Sequence, residues 1–235
     1  VAVGKATKLF DFYLKKTKTY IAEMEFGYET NTLDADGEVI KSTDAIPSLE
    51  EFELSLSKFI GKILQTPPKF SAIKINGKRA YDLARKNIDF KIEPKIVEIF
   101  DLELVEQLSS NKFKIKIDCS AGTYIRSLVR DIAYNLNSVA TMTKLVRTRS
   151  GNFTQQDSFL IEEIEKDPQE CLIPLEKALK ELPKIQIDEA NLEKLKNGII
   201  LKLNKEDTET SVIYIGNVLF GLGKIKNKTL EIETR

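Results

Sequence analysis

The chain has 235 residues, 42% hydrophobic and 31% charged, enough for one large domain or one domain with a small appendage. It contains no histidine, and its two cysteines, Cys119 and Cys171, stand far apart. That composition excludes Ser-His-Asp and Cys-His catalysis within the chain, leaves no zinc-ligand spacing, and assigns acid–base work to Asp, Glu, Tyr, Lys or arginine-organised water.

Cysteine usage fits a reducing, cytoplasmic setting. No apolar run reaches membrane-spanning length and no signal peptide is visible. The net charge of zero is unevenly spread. Residues 1–20 carry five Lys against one Asp, residues 62–95 nine basic and three acidic groups, and residues 111–151 eight and two. Residues 21–61 reverse this, with two basic and ten acidic groups. Converging in space, the basic blocks would make a polyanion-binding face; scattered, they are solvated surface.

In chain order, residues 5–16 are expected as a short helix with Leu9, Phe10, Tyr13 and Leu14 on one face. The chain opens on an apolar segment rather than on methionine, and a further N-terminal part is expected ahead of it. Alternation over 19–28 predicts a strand, and 29–40 has the Asn/Asp/Gly chemistry of a loop. Ser48 and Glu51 have capping-box spacing ahead of a helix over 49–61. After Pro67 and Pro68 comes a short strand (FSAIKI), a turn at Asn76-Gly77, and a helix (RAYDLARKN). Residues 95–106 and 112–119 are predicted strands; in the second, Phe113, Ile115, Ile117 and Cys119 oppose three lysines. Beyond Gly122, Ile125, Leu128, Val129, Ile132, Ala133 and Leu136 form a helical stripe. Residues 145–153 are basic and then turn, and 157–182 are acidic and helical. From Pro183 onward a short helix at 192–198 and three strands joined at Gly216-Asn217 and Asn227-Lys228 predict a small β-rich domain.

Arg126 is the residue that needs explaining. It lies in the first turn of a helix, where a cation faces the positive end of the dipole at a cost of up to about 1 kcal/mol. A fixed anion beside it, carboxylate or RNA phosphate, would account for it. So would an ordinary salt bridge to Asp118 or Asp131.

Several motifs stand in register with one family. Lys18-Thr19-Tyr20 reads as K-x-Y. Gly27, Thr30, Thr32, Asp34 and Gly37 read as G-x-x-T-x-T-x-D-x-x-G. Gln65, Pro67, Pro68, Phe70-Ser71-Ala72 and Lys74 read as Q-x-P-P-x-F-S-A-x-K, followed by G-x-R-A-Y-x-x-A-R from Gly77 to Arg85. Gly122–Arg126 is GTYIR, and Leu145, Arg147-Thr148 and Gly151 read as L-x-R-T-x-x-G. The chain thus resembles the TruB family of bacterial tRNA pseudouridine-55 synthases, strongly over residues 1 to about 155 and weakly beyond.

The resemblance implies an α+β pseudouridine synthase fold, a mixed, mainly antiparallel sheet flanked by helices, over 1–182, with a PUA-like RNA-binding domain over 183–235. It implies base flipping and isomerisation of a tRNA T-loop uridine, with no metal or other cofactor. Tyr20 and Arg126 would be catalytic; Tyr20, Tyr124 and Leu145 would bound the uracil; Lys18, Lys74, Arg79, Arg85 and Arg147 would contact the RNA backbone. Each could instead be a core or surface side chain. The family nucleophile is an aspartate in a G-T-L-D-P loop, expected upstream of residue 1. Asn31-Thr32-Leu33-Asp34 is not that loop: it follows the K-x-Y tyrosine, and Ala35 stands where the loop has proline. The expected partner is tRNA, without membrane or obligatory protein partner, and the protein is expected as a cytoplasmic monomer whose present residues alone are inactive. The alternatives are a non-catalytic tRNA-binding or tRNA-folding protein on the same scaffold and an RNA-guided relative within a ribonucleoprotein.

Overall fold

The computed structural model describes residues 1–234; Arg235, the last residue of the expected C-terminal module, lies outside them. The chain divides into two compact units, residues 14–157 and residues 1–13 with 158–235, described here one at a time.

The unit of residues 1–13 and 158–234 opens with a 3-10 turn, Gly4–Leu9, and helix α1, Phe10–Leu14, at its boundary, where sequence predicts one helix over 5–16. The unit of residues 14–157 is built on a six-stranded antiparallel sheet. Its strands are β1 (Lys18–Phe26), β4 (Gly61–Gln65), β7 (Lys95–Gln107), β8 (Lys112–Cys119), β9 (Ala140–Ser150) and β10 (Phe153–Thr154), in the order β10-β9-β1-β8-β7-β4. Two small hairpins, β2 (Tyr28–Thr30) with β3 (Val39–Ser42) and β5 (Lys74–Ile75) with β6 (Lys78–Arg79), stand apart from it. The helices are α2 (Leu49–Leu56), α3 (Ala80–Arg85) and α4 (Ile125–Asn135).

One sheet face is apolar because alternate residues of β1 and β8 are (Ala22, Met24, Phe26; Phe113, Ile115, Ile117, Cys119), and all are fully buried. α2 contributes Phe52 and Leu56, and α4 its stripe of Ile125, Leu128, Val129, Ile132 and Ala133. At the centre, Phe52 stacks on Phe113 at 4.4 Å while Phe26 meets both edge-on at 5.8 and 5.7 Å. The opposite face is polar. There Lys112 pairs with Glu23 (2.9 Å), Lys114 with Glu106 (2.5 Å) and Lys116 with Glu103 (3.4 Å). The lysines of β8 are therefore matched to cross-strand acids, and this part of the basic 111–151 block does not form a lone cationic surface.

The Ser48–Glu51 capping box forms as the sequence predicts. The helix it starts ends at Leu56, not 61: a 3-10 turn follows, and Gly61 at φ +98 turns the chain into β4. The strand predicted over 70–75 shrinks to Lys74–Ile75, with Asn76 and Gly77 both at positive φ in the turn. Residues 145–150, read from sequence as basic and turning, belong to the eleven-residue strand β9 because β1 offers it a long partner.

In the unit of residues 1–13 and 158–234, only α5 (Ile161–Lys166) and α6 (Leu175–Ala178) form in the segment expected to be helical. Pro168 and Pro174 interrupt it. A five-stranded sheet follows, ordered β11-β13-β14-β15-β12, from β11 (Lys184–Ile187), β12 (Leu201–Lys202), β13 (Ser211–Ile215), β14 (Val218–Lys226) and β15 (Thr229–Thr234). α7 (Leu192–Lys196) packs Leu195 into its core. Leu9, Leu179, Val212 and Leu222 form a second cluster here, joined by Tyr13, whose hydroxyl donates to the Ala178 carbonyl. The molecule is α+β, with mainly antiparallel sheets and a β-rich C-terminal part.

Candidate active site

Three loops converge on the head of α4. The turn before the helix runs through Gly122 at φ +83, and no side chain at the N-cap position, Tyr124, caps the helix. Gln65, at the end of β4 and buried, takes over that task. Its Oε1 accepts from the Tyr124 N–H at 2.9 Å and its Nε2 donates to the Tyr124 carbonyl at 3.2 Å. One turn on, Ser127 Oγ (2.9 Å) and Arg130 Nη2 (3.1 Å) both donate to the Thr66 carbonyl. The Q-x-P-P segment is thereby laced to the helix.

Arg126 stands where these loops meet. Its Nη1 donates to the Thr32 carbonyl (2.9 Å) and to Asp34 Oδ2 (2.8 Å), and its Nη2 to the Phe70 carbonyl (2.9 Å). Three acceptors offset the unfavourable helix dipole. Neither acid suggested by sequence proximity is its partner: Asp118 pairs with Arg149 and Asp131 with Arg130. Among the described residues, the Arg126 Nε–H edge has no hydrogen-bond acceptor.

The loop that carries Asp34 is tightly determined. Thr30 Oγ1 donates to the Asp34 carbonyl and Thr32 Oγ1 to Asp34 Oδ1, both at 2.6 Å. Leu33 and Ala35 exchange backbone hydrogen bonds with Met142 of β9. Leu33 is buried at φ 65, a strained conformation for a branched side chain, held by those flanking bonds. A Cβ at Gly37 would stand 2.3 Å from Thr32 Oγ1 and 2.6 Å from Asn31 Oδ1.

Tyr20, Leu145 and Arg147 come together across β1 and β9. Ala22 is opposite Leu145 and Tyr20 opposite Arg147. Tyr20 packs against the core, and burial, reinforced by the nearby Cys119, pushes its phenol above the ordinary value of 10.0; hydrogen bonding and charge from Arg147 oppose that rise. Burial, seconded by the Arg147 charge, lowers the Lys18 ammonium from 10.5. Lys18 Nζ is turned inward and donates to the carbonyls of Leu14 and Lys16, both at 2.6 Å.

Lys74, Arg79 and Arg85 are exposed on the β5–β6 hairpin and α3. Arg79 and Arg85 flank the Tyr81 ring at 5.8 and 5.5 Å, and Arg79 also donates to its hydroxyl at 3.3 Å. Two members of the site escaped the sequence reading as site residues. Gln65 was visible only as a motif letter, and the pairing of Asp34 with Arg126 spans 92 residues, beyond any local signal. No group of three or more candidate metal ligands occurs among the described residues, and no described helix is long and apolar enough to cross a membrane.

This fold is shared by a chain of a Cbf5-Nop10-Gar1 complex, at TM-score 0.69 and 22% identity over 100% of this chain and 69% of that one. A chain of an H/ACA RNP bound to a substrate RNA containing 2'-deoxyuridine gives 0.67 and 21%, over 99% and 68%. Residues 1–125 match the family model for the TruB family pseudouridylate synthase (N terminal domain), which makes the class that of a pseudouridylate synthase. Residues 126–180 match the tRNA pseudouridylate synthase B C-terminal domain. The chain is similar to tRNA pseudouridine synthase B of Borreliella afzelii, 42% identical over 90% of this chain and 74% of the relative. It is also similar to that of Clostridium tetani (42%; 86% and 70%) and of Clostridium perfringens (36%; 99% and 82%). The chain belongs to the TruB family of pseudouridylate synthases.

Proposed function

We propose that the protein isomerises a uridine of the tRNA T-loop, position 55, to pseudouridine, acting as a monomer without an obligatory protein partner. The reaction breaks the N1–C1′ bond, turns the base, joins C5 to C1′, and gives up the C5 proton while N1 gains one, so that the net composition is unchanged. The observation that carries this reading is Arg126, held at the head of α4 by Asp34 and two carbonyls with its Nε–H edge unengaged among the described residues. A guanidinium so fixed can receive a second carboxylate and keep it ionised at neutral pH. We assign that second carboxylate to the nucleophilic aspartate of the family's G-T-L-D-P loop and assign Asp34 to positioning the arginine.

In this reading the target base is flipped out of the T-loop, at a cost of a few kcal/mol, into a pocket bounded by Tyr20, Tyr124 and Leu145. Tyr20 stacks on it and relays the C5 proton. With its phenol pushed up it enters neutral, as hydrogen-bond donor and acceptor rather than as a standing phenolate. Arg147, together with the exposed Lys74, Arg79 and Arg85, contacts phosphates. Lys18 is also assigned to the RNA side, though its ammonium now serves the Leu14 and Lys16 carbonyls. The C-terminal β-rich part is assigned as a PUA-like module binding the same RNA.

The test is tritium release from tRNA carrying 5-tritiated uridine, with the modified position mapped, using the full-length enzyme. Pseudouridine at position 55, and tRNA affinity falling steeply with salt, are expected. Tight tRNA binding with no pseudouridine would overturn the enzymatic reading and leave a tRNA-binding protein.

A further inference from the structure

On β9, Arg149 is opposite Thr19 and Arg147 is opposite Tyr20 of β1, so Thr148 is an extra residue in the ladder. Thr19 and Tyr20 point to opposite sheet faces. In an unbroken ladder Arg147 and Arg149, two residues apart, would share one face. The bulge at Thr148 separates them, sending Arg149 to the polar outer face with Thr19 and Arg147 to the face of Tyr20. A bulge interrupts strand pairing, so its persistence at this point calls for something that fixes it.

Arg149 supplies that fixation across three strands. Its Nε donates to Thr19 Oγ1 (2.8 Å), its Nη1 to Thr17 Oγ1 (3.0 Å) and the Gly151 carbonyl (3.2 Å), and its Nη2 to Asp118 Oδ1 (3.2 Å). The buried Thr19 hydroxyl donates in turn to Asp118, its partner on β8, and Thr148 Oγ1 donates to the Thr19 carbonyl at 3.4 Å. A surface ion pair is usually one contact of little consequence. Here one guanidinium ties the Arg149 side of the bulge to β1 and β8, and Thr148 itself is tied to the Thr19 carbonyl.

We infer that Arg149, Asp118 and Thr19 form a cross-strand clasp whose role is to hold Arg147 opposite Tyr20 and on its side of the sheet, so that Arg149 is a positioning residue for the reaction. This rests on the reading above that Tyr20 handles the flipped base. Cys119 also acts on this phenol, and Lys18 lies within reach of Arg147 and Cys119; neither Lys18 nor Cys119 is reached by the clasp's hydrogen bonds.

The test combines Arg149→Met with the near-isosteric Thr19→Val, which removes the clasp's central hydroxyl with little change of shape, so that a folding failure of the first leaves the second decisive. Three quantities are read: the Tyr20 phenol titration in the folded protein (by difference against Tyr20→Phe), the single-turnover rate of pseudouridine formation, and the tRNA dissociation constant. Expected are a phenol titration displaced to higher pH, as in Arg147→Met, a rate lower by about 10- to 100-fold, and an affinity lowered by less than the rate, because Arg147 is also assigned to the RNA backbone. In an Arg147→Met background, Arg149→Met is expected to add nothing to the phenol shift. An unchanged titration and rate in a folded variant, even one of lowered Tm, would reduce the clasp to a fold stabiliser and overturn the inference. If wild type makes no pseudouridine, the functional reading fails, while the phenol titration still decides the clasp.

Discussion

Arg126 reaches across 92 residues to Asp34 at 2.8 Å and, with the same nitrogen, holds the Thr32 carbonyl two positions earlier in that loop. Arginine and loop thus fix each other. Arg126→Ala in the full-length enzyme should lower turnover by about 10³-fold or more while tRNA affinity stays near wild type. Asp34→Asn keeps the shape and one acceptor but loses the charge, and should cost about 10- to 100-fold. Quench-flow turnover beside filter binding separates the two effects; equal losses of affinity and rate would count against both assignments.

Tyr20→Phe removes the phenol and keeps the ring. Product formation should fall by at least about 100-fold with binding almost unchanged. The phenol also leaves a mark on stability. Its pKa is raised, chiefly by burial, so above pH 10.0 the unfolded chain loses this proton before the folded one does. The unfolded state then binds fewer protons, and stability declines as pH climbs from 10 toward the raised value. Denaturant titrations at pH 9 to 11 should show a shallower decline for Tyr20→Phe.

Glu23 gives the opposite slope in acid. A hydrogen bond from Lys112 leads in holding its carboxyl below 4.5. Its contribution is complete above that value and is lost as pH falls through the lowered pKa. Because the pair is partly solvated, Glu23→Gln should cost about 1 kcal/mol or less at pH 7 and flatten the acid limb of the stability curve.

Leu128 of α4 is fully buried in the core, and Leu64 of β4 is 68% exposed. Leu128→Ala should lower unfolding free energy by about 2–5 kcal/mol. Leu64→Ala should stay within about 0.5 kcal/mol. Urea unfolding of the two variants is the check.

What sequence could show was what lies within a few residues. The Ser48–Glu51 box, the α4 stripe and the alternation of β8 each carry their own period or cap, and each formed where predicted. β4 and β9 were missed because neither stands out by composition: what makes Gly61–Gln65 and Ala140–Ser150 strands is pairing with β7 and β1. The site followed the same division. Arg126, Tyr20 and Leu145 were nameable from motifs. The Asp34 carboxylate and the Gln65 amide that complete the setting of Arg126 and its helix depend on contacts 92 and 59 residues apart.

Gly37 contributes no functional group at all, yet Thr32 and Asn31 press so close that a single methyl there would displace them. In a saturation library screened for modified tRNA, this position should tolerate as few replacements as the arginine itself, and alanine should already score as a lesion. An unfilled volume can thus constrain a sequence as firmly as a charge.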